Sequence, residues 1–453
     1  MSTTAHISVR SEKILGKIKP MQAVNHGPIG AIIPVQNRNN FEEFKAARIP
    51  YARNHDMSEW IDYGGEFVMD VYNIFPNFDA DPADPANYEF AVTDSIVKFT
   101  QDTGTEIFYR LGSRIEHQCK KYRTKMPKDF HKWAVVCEHI IRHYNEGWAD
   151  GFRYGITYWE IWNEPDIDPD GTPENKRRTW GGTAEEFYEF YATVATYLKE
   201  KFPALKIGGP AVAGFKPDWL SGFFTRLTQD SANPVPLDFF SWHWYGTDPQ
   251  KMIDRAHRVR EMLNHYGYSS TESHLNEWNY VENWGSKWID TIKEIIGIRG
   301  AAFLAACITA GQRDPFIDMM MYYCVGPTTM NGVFDFYTCK PIKGYHALYA
   351  FSDLYDLGNE IHTKSNDESI YCIGACDKCG NEALLVVHYP LDKSEDEKTV
   401  VIKFEDGDGH DTEIRLVDDT HDYSIIETPK IDNNGTITLT MKANSFAHIR
   451  KKK

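Results

Sequence analysis

No run of this 453-residue chain stays apolar for the roughly 20 residues that a membrane-crossing helix needs. Residues 1–19 are mixed polar and charged, and lack the apolar core and small-residue cleavage site of an export signal. Eight cysteines without such a signal read as reduced thiols, and a cytoplasmic location is expected. Basic residues are outnumbered, 49 Lys and Arg against 65 Asp and Glu, for a formal net charge of −16. That balance argues against nucleic acid or an anionic membrane as the main partner. Glycine-rich phosphate loops and dinucleotide fingerprints are absent, so no cofactor is expected. No metal site is expected either. Cys372, Cys376 and Cys379 approach a ligand spacing, but no second pair completes it, and the segment reads as a hairpin turn. His131, His139 and His143 recur at helical spacing without a partner cluster.

What the chain has in plenty is aromatic rings, 14% of residues with 12 Trp and 25 Tyr. Rings of this kind stack on sugars, although a barrel core is also rich in them. Short β-branched and aromatic runs alternate with amphipathic helical stretches through residues 19–357. Eight such alternations make up the count of a (β/α)8 TIM barrel, an α/β fold. Thr183 with Glu186 predicts a capping box at one helix start, and a single helix is expected over 288–310. The long Pro-, Asp- and Asn-rich segment 64–88 is a candidate lid or a surface excursion. After Gly358 the pattern changes to short alternating runs separated by turn clusters. An accessory antiparallel β-sandwich domain is expected over 358–453.

The chemistry concentrates at two strand ends. Ile156 to Trp162 is a buried strand by composition, and it stops at Asn163, Glu164 and Pro165, since proline cannot donate to a ladder. A carboxyl walled by Trp159 and Trp162 is poorly solvated, which raises its pKa and suits a general acid. A second strand, near Ser273, ends in Asn276 and Glu277 beside Trp278. Two strand-end glutamates among aromatics are the pair a retaining glycosidase needs, one acid/base and one nucleophile.

These residues carry a resemblance. Asn163-Glu164-Pro165 resembles the acid/base motif of clan A glycoside hydrolases, and Glu277 sits where their nucleophile sits. The fuller wording, Trp162 to Asp166 and then Asn276-Glu277-Trp278, is most similar to family 39, the β-xylosidase family. The later Gly332-Val333-Phe334-Asp335 and the tail domain fit it too, so the likeness covers nearly the whole chain. It implies Glu164 as acid/base, Glu277 as nucleophile, and Asn163 as a hydrogen-bond partner of the sugar 2-hydroxyl. It also implies that a strand within residues 1–18 joins the accessory domain, and it allows a homo-oligomer.

His243 and Tyr245 leave the sixth barrel strand two residues apart and so face one side. Their counterparts in clan A orient the nucleophile and touch the sugar, and Tyr245 near Glu277 would keep it ionised. Arg53, His55 and His117 also fall at strand ends and are candidate sugar contacts. Arg53 is equally a candidate partner for a structural carboxylate. Trp278 is a candidate floor for the sugar ring. The expected activity is that of a retaining β-glycosidase of β-xylosidase type. It would cut terminal sugars from short oligosaccharides, with its two carboxyls about 5–5.5 Å apart. The alternatives are the same mechanism on another glycoside (arabinofuranosidase, β-glucosidase or endo-glycanase), or a catalytically inactive glycan-binding protein.

Overall fold

The computed structural model describes residues 3–30, 39–55, 69–326, 332–393, 396–405 and 410–451. Eight parallel strands close into a barrel in sequence order: β2 (Ala23–Asn25), β3 (Tyr51–Arg53), β4 (Glu106–Leu111), β5 (Tyr158–Ile161), β6 (Lys206–Val212), β7 (Phe239–Gly246), β8 (Glu272–Tyr280) and β9 (Met319–Tyr322). Helices α1 (Phe41–Ala46), α2 (Val71–Ile74), α3 (Ala91–Gln101), α4 (Phe130–Asn145), α5 (Ala184–Lys201), α6 (Pro217–Leu227), α7 (Pro249–His265), α8 (Trp288–Ile296), α9 (Ile298–Arg313) and α10 (Lys343–Leu357) lie along the connections. The capping box at α5 is present: the Thr183 hydroxyl accepts from the Glu186 N–H, and the Glu186 carboxylate accepts from the Thr183 N–H.

The expected single helix over 288–310 is instead two, α8 and α9, bent by 72° at Gly297. The bend brings Gly300 so close to the preceding turn that a Cβ there would meet the Ile295 carbonyl at 2.4 Å. No single helix among the described residues is long and apolar enough to cross a membrane. Of the 64–88 segment, residues 64–68 fall outside the described residues. The remainder forms α2 and a short 3-10 turn, with Val71, Ile74 and Phe75 buried against the barrel.

Inside the barrel the bottom layer is apolar. Phe108, Tyr158 and Phe239 pack together with Met319 and Met321. Higher up, toward the C-terminal ends of the strands, the inward residues become charged, and that layer is the site.

Gly358, with φ +84, ends α10 in a left-handed cap on Leu354 and releases the chain into the accessory domain. Its strands are β10 (Asn359–Ser365), β11 (Ile370–Cys376), β12 (Glu382–His388), β13 (Lys398–Phe404), β14 (Thr412–Val417), β15 (Asp422–Glu427), β16 (Thr436–Met441) and β17 (Ser445–Lys451). With β1 (Thr3–Lys17) they form one curled sheet ordered β15-β14-β17-β12-β11-β10-β1-β13-β16. All pairs are antiparallel except β1 with β13. The sheet closes over its own core of Ile7, Leu384, Val400 and Ile449. The other face of β11 and β12 (Ile373, Ala375, Leu385, Val387) joins the core around the barrel helices, as strand alternation requires.

Candidate active site

The two glutamates reach one spot by different local devices. β5 alternates in the ordinary way: Tyr158 packs inward on Phe108, Trp159 packs outward on Tyr109, and Glu160 points inward. The chain then turns sharply, with positive φ at Trp162 (70°) and Glu164 (47°). This sends Trp162 into the helix layer against Trp133 and Phe190, while Asn163 and Glu164 stay at the mouth. The Glu164 N–H is tied to the Ala211 carbonyl at 2.9 Å, and the Glu164 carbonyl accepts from the Thr179 hydroxyl at 2.6 Å. Backbone strain of this sort persists only where the surroundings over-determine it.

On β8 the device is a bulge. Trp242 pairs with Leu275, but His243 pairs with Glu277, so β8 carries one residue more than β7. Asn276 is the extra residue, and two neighbours, Asn276 and Glu277, therefore both face the interior. Trp278 consequently faces outward. It is 0% exposed and packs edge-on to Tyr322 and Phe303 in the helix layer. Its expected place under a sugar ring is thus corrected: inward-facing Glu277 sends its successor to the opposite side of the strand.

One oxygen of Glu164 and one of Glu277 lie within 4.8 Å of each other, and a His243 nitrogen lies within the same distance of both. Both residues are buried, Glu164 6% and Glu277 5% exposed. Glu164 shares a 2.8 Å hydrogen bond with His243 Nδ1. Burial, reinforced by the nearby Asp166 charge, pushes its pKa up to about 8. Asp166 is itself held by the Ala213 and Gly214 N–H groups and by Lys216. Burial pushes His243 down to about 4, so its ring is neutral at pH 7.

Glu277 is surrounded by donors. The Tyr245 hydroxyl donates to Oε1 at 2.6 Å, and Arg53 donates to Oε2 at 3.2 Å. The nitrogens of His55 and His243 stand 3.7 Å from Oε2. Burial, reinforced by the neighbouring Glu164, raises the Glu277 pKa above its usual value, while the Arg53 charge and the Tyr245 bond pull it back. Of the two carboxyls, Glu277 is the one built to hold a negative charge and Glu164 the one built to hold a proton.

Arg53 lies beneath the pair, fully buried. Its guanidinium reaches Glu160 at 2.7 Å, Asn163 at 2.6 Å, Asn25 at 3.0 Å and Glu277 at 3.2 Å. Arg53 therefore anchors the site from below, and a sugar contact is not its place. Asn163 gives its oxygen to Arg53, and its buried Nδ2 has no partner among the described residues. His55 lies buried beside Glu277, with its pKa far below the usual value through burial and the Arg53 charge. His117 does not join the cluster. It is exposed in the loop after β4, because the turn buries its neighbour Glu116, whose carboxylate accepts from the N–H groups of Tyr122, Arg123 and Thr124.

Sequence reasoning passed over Glu160, Asn25 and the bracing role of Asn276. Asn276 donates to Glu160 at 2.5 Å, and Asn25 donates to the Asn276 carbonyl at 2.8 Å. A signal was present: a carboxylate between Trp159 and Ile161 in a buried strand demands a cationic partner. Glu164, His243 and Glu277 also offer a set that a metal ion would fit. Such an ion would have to break the Glu164–His243 bond and sit against the Arg53 guanidinium. The arrangement reads as one for handling a proton.

The family model described as glycosyl hydrolases family 39 matches residues 6–357. A β-xylosidase of Caldicellulosiruptor saccharolyticus is 28% identical over 257 residues, covering 53% of this chain and 46% of that protein. The chain thus spans less than half the length of that relative. Among solved structures, a glucosidase of Croceicoccus marinus superposes with a TM-score of 0.78 at 23% identity, covering 99% of both chains. A monomeric β-xylosidase of Caulobacter crescentus does so with a TM-score of 0.68 at 14% identity, again covering 99% of both.

Proposed function

This chain belongs to family 39 of the glycosyl hydrolases, and on that premise we propose that it is a retaining β-glycosidase of β-xylosidase type acting on short oligosaccharides. The observation that carries the proposal is the carboxyl pair, with oxygens within 4.8 Å of each other. Retaining enzymes hold their carboxyls about 5–5.5 Å apart, whereas inverting enzymes need roughly 6.5–9.5 Å to admit a water.

The course follows from the charges. Glu277, ionised against Arg53 and Tyr245, attacks the anomeric carbon. Glu164, protonated near neutral pH, gives its proton to the leaving oxygen. A glycosyl ester forms on Glu277. Glu164, now a base, takes a proton from the incoming water, and the ester is hydrolysed with net retention. The Nδ2 of Asn163, buried and available, is placed to donate to the sugar 2-hydroxyl, a bond that strengthens at the transition state.

Proton NMR of the first-released anomer tests the mechanism: β product from a β-xyloside is expected, and α product refutes it. A panel of nitrophenyl β-xyloside, β-glucoside and α-arabinofuranoside decides the sugar. Terminal cutting is expected on long xylan, and the early appearance of mid-length products would contradict it.

A further inference from the structure

The loop after β8 carries two tryptophans that the chemistry above leaves unused. Trp284 is 63% exposed, an unusual setting for so large an apolar side chain. Its ring stacks on Trp288, the first residue of α8, with centroids 5.0 Å apart and planes 20° from parallel. It also meets the Tyr245 ring edge-on at 5.1 Å and 74°. Tyr245 in turn donates to Glu277 at 2.6 Å. An unbroken line of contacts therefore runs from the nucleophile to an indole open to solvent.

The loop is braced rather than slack. Glu282 pairs with Lys287 at 3.1 Å and with Lys393 at 2.6 Å. The Asn283 side chain accepts from the Gly285 N–H at 2.6 Å, and the Trp288 N–H donates to the Gly285 carbonyl at 3.1 Å. A slack loop would let the indole fold down and bury itself, since burial of that area is favourable. Here Trp288 supports the ring while much of it stays in water. A pyranose ring offers a face of C–H groups that packs on an aromatic plane, and preorganisation of that plane lowers the entropic cost of binding.

We propose that Trp284, backed by Trp288, is a stacking platform for a second sugar ring beside the one held between Glu164 and Glu277. The proposal rests on the glycosidase reading above and deepens it: the preferred substrates are oligosaccharides rather than single sugars on a small leaving group.

The test compares Trp284→Ala and Trp284→Phe with the unaltered enzyme on β-xylosyl fluoride, xylobiose, xylotriose and cellobiose. The fluoride has one ring and a leaving group too small to reach the platform. For Trp284→Ala, the loss of kcat/KM on at least one oligosaccharide should exceed the loss on the fluoride by roughly tenfold. Trp284→Phe should recover part of it. Equal losses on both substrate types, or none on either, would overturn the platform.

Binding is read separately by tryptophan fluorescence of Glu277→Gln titrated with xylotriose. The signal should change, and the change should shrink in the Glu277→Gln/Trp284→Ala double variant. Turnover of glycosides with an undiminished fluorescence change in the double variant would sink the platform and leave the activity standing. A Trp284-dependent change in an enzyme that hydrolyses no glycoside would do the reverse.

Discussion

Replacing Tyr245 with phenylalanine isolates the step on which the charge assignment depends. The hydroxyl donates to Glu277 Oε1 at 2.6 Å, and nothing else about the ring need change. A hydrogen bond to a charged group is worth about 1.5–3 kcal/mol. One pKa unit is about 1.4 kcal/mol, so the Glu277 pKa should rise by about one to two units. The reaction needs Glu277 ionised, so activity is lost as pH falls through its pKa. Raising that pKa moves the acid limb of the kcat/KM profile to higher pH by the same one to two units. The basic limb belongs to Glu164, which must be protonated and whose pKa is about 8. Activity there is lost as pH rises, and the hydroxyl is not aimed at that group. The narrowed bell should be measured on xylobiose, whose leaving group needs the Glu164 proton, so that both limbs are seen. The two limbs report the coupled pair, so the shift of one limb against the other is the quantity to read. An acid limb that stays in place in Tyr245→Phe would refute the claim that this hydroxyl keeps the nucleophile charged.

Four further outcomes follow from the geometry. Glu164→Ala should cut kcat/KM on poor leaving groups by about 10²–10⁴-fold while sparing kcat/KM on β-xylosyl fluoride, and a uniform loss of kcat/KM on both would deny Glu164 the acid role. Glu160→Ala leaves the buried Arg53 charge half-paired. It should cost about 3–5 kcal/mol of stability in chemical denaturation, and an unchanged midpoint would contradict the anchoring role of Arg53. Trp278→Ala should cost about 3–5 kcal/mol as a core deletion without altering the order of preference among nitrophenyl glycosides; a change of preferred sugar would put that ring back in the pocket. His117→Ala should leave kcat/KM unchanged, and a clear rise in KM would bring the loop after β4 into the site.

The position of Glu164 was legible because a β-rich run stops abruptly at Pro165, and that of Glu277 from its Asn-Glu-Trp wording, although β8 runs on past it to Tyr280. The barrel count was legible from eight changes of period. What sequence alone left open was direction. Whether Trp278 lines a pocket depends on which way Glu277 points, and a single bulge residue, Asn276, sets that. Arg53 reads as a cation at a strand end, but its four partners come from β2, β5, the loop after β5 and β8, and no spacing in the chain joins them. In the accessory domain, the strands Asn359–Ser365 and Asp422–Glu427 have no clean alternation of apolar and polar residues. Each carries charged residues where a cleaner alternation would have marked it, and the curl into one sheet depends on long-range pairing with β1.

The central claim is that Glu277 forms a covalent bond to the sugar while Glu164 manages the proton. The most direct measurement incubates the enzyme with a 2-deoxy-2-fluoro-xylosyl fluoride, then applies mass spectrometry to the intact protein and its peptides. The account predicts one added sugar per chain, on the peptide containing Glu277, and none in Glu277→Gln. A label on any other residue, or efficient hydrolysis of β-xylosides with no adduct and an inverted product, would contradict it.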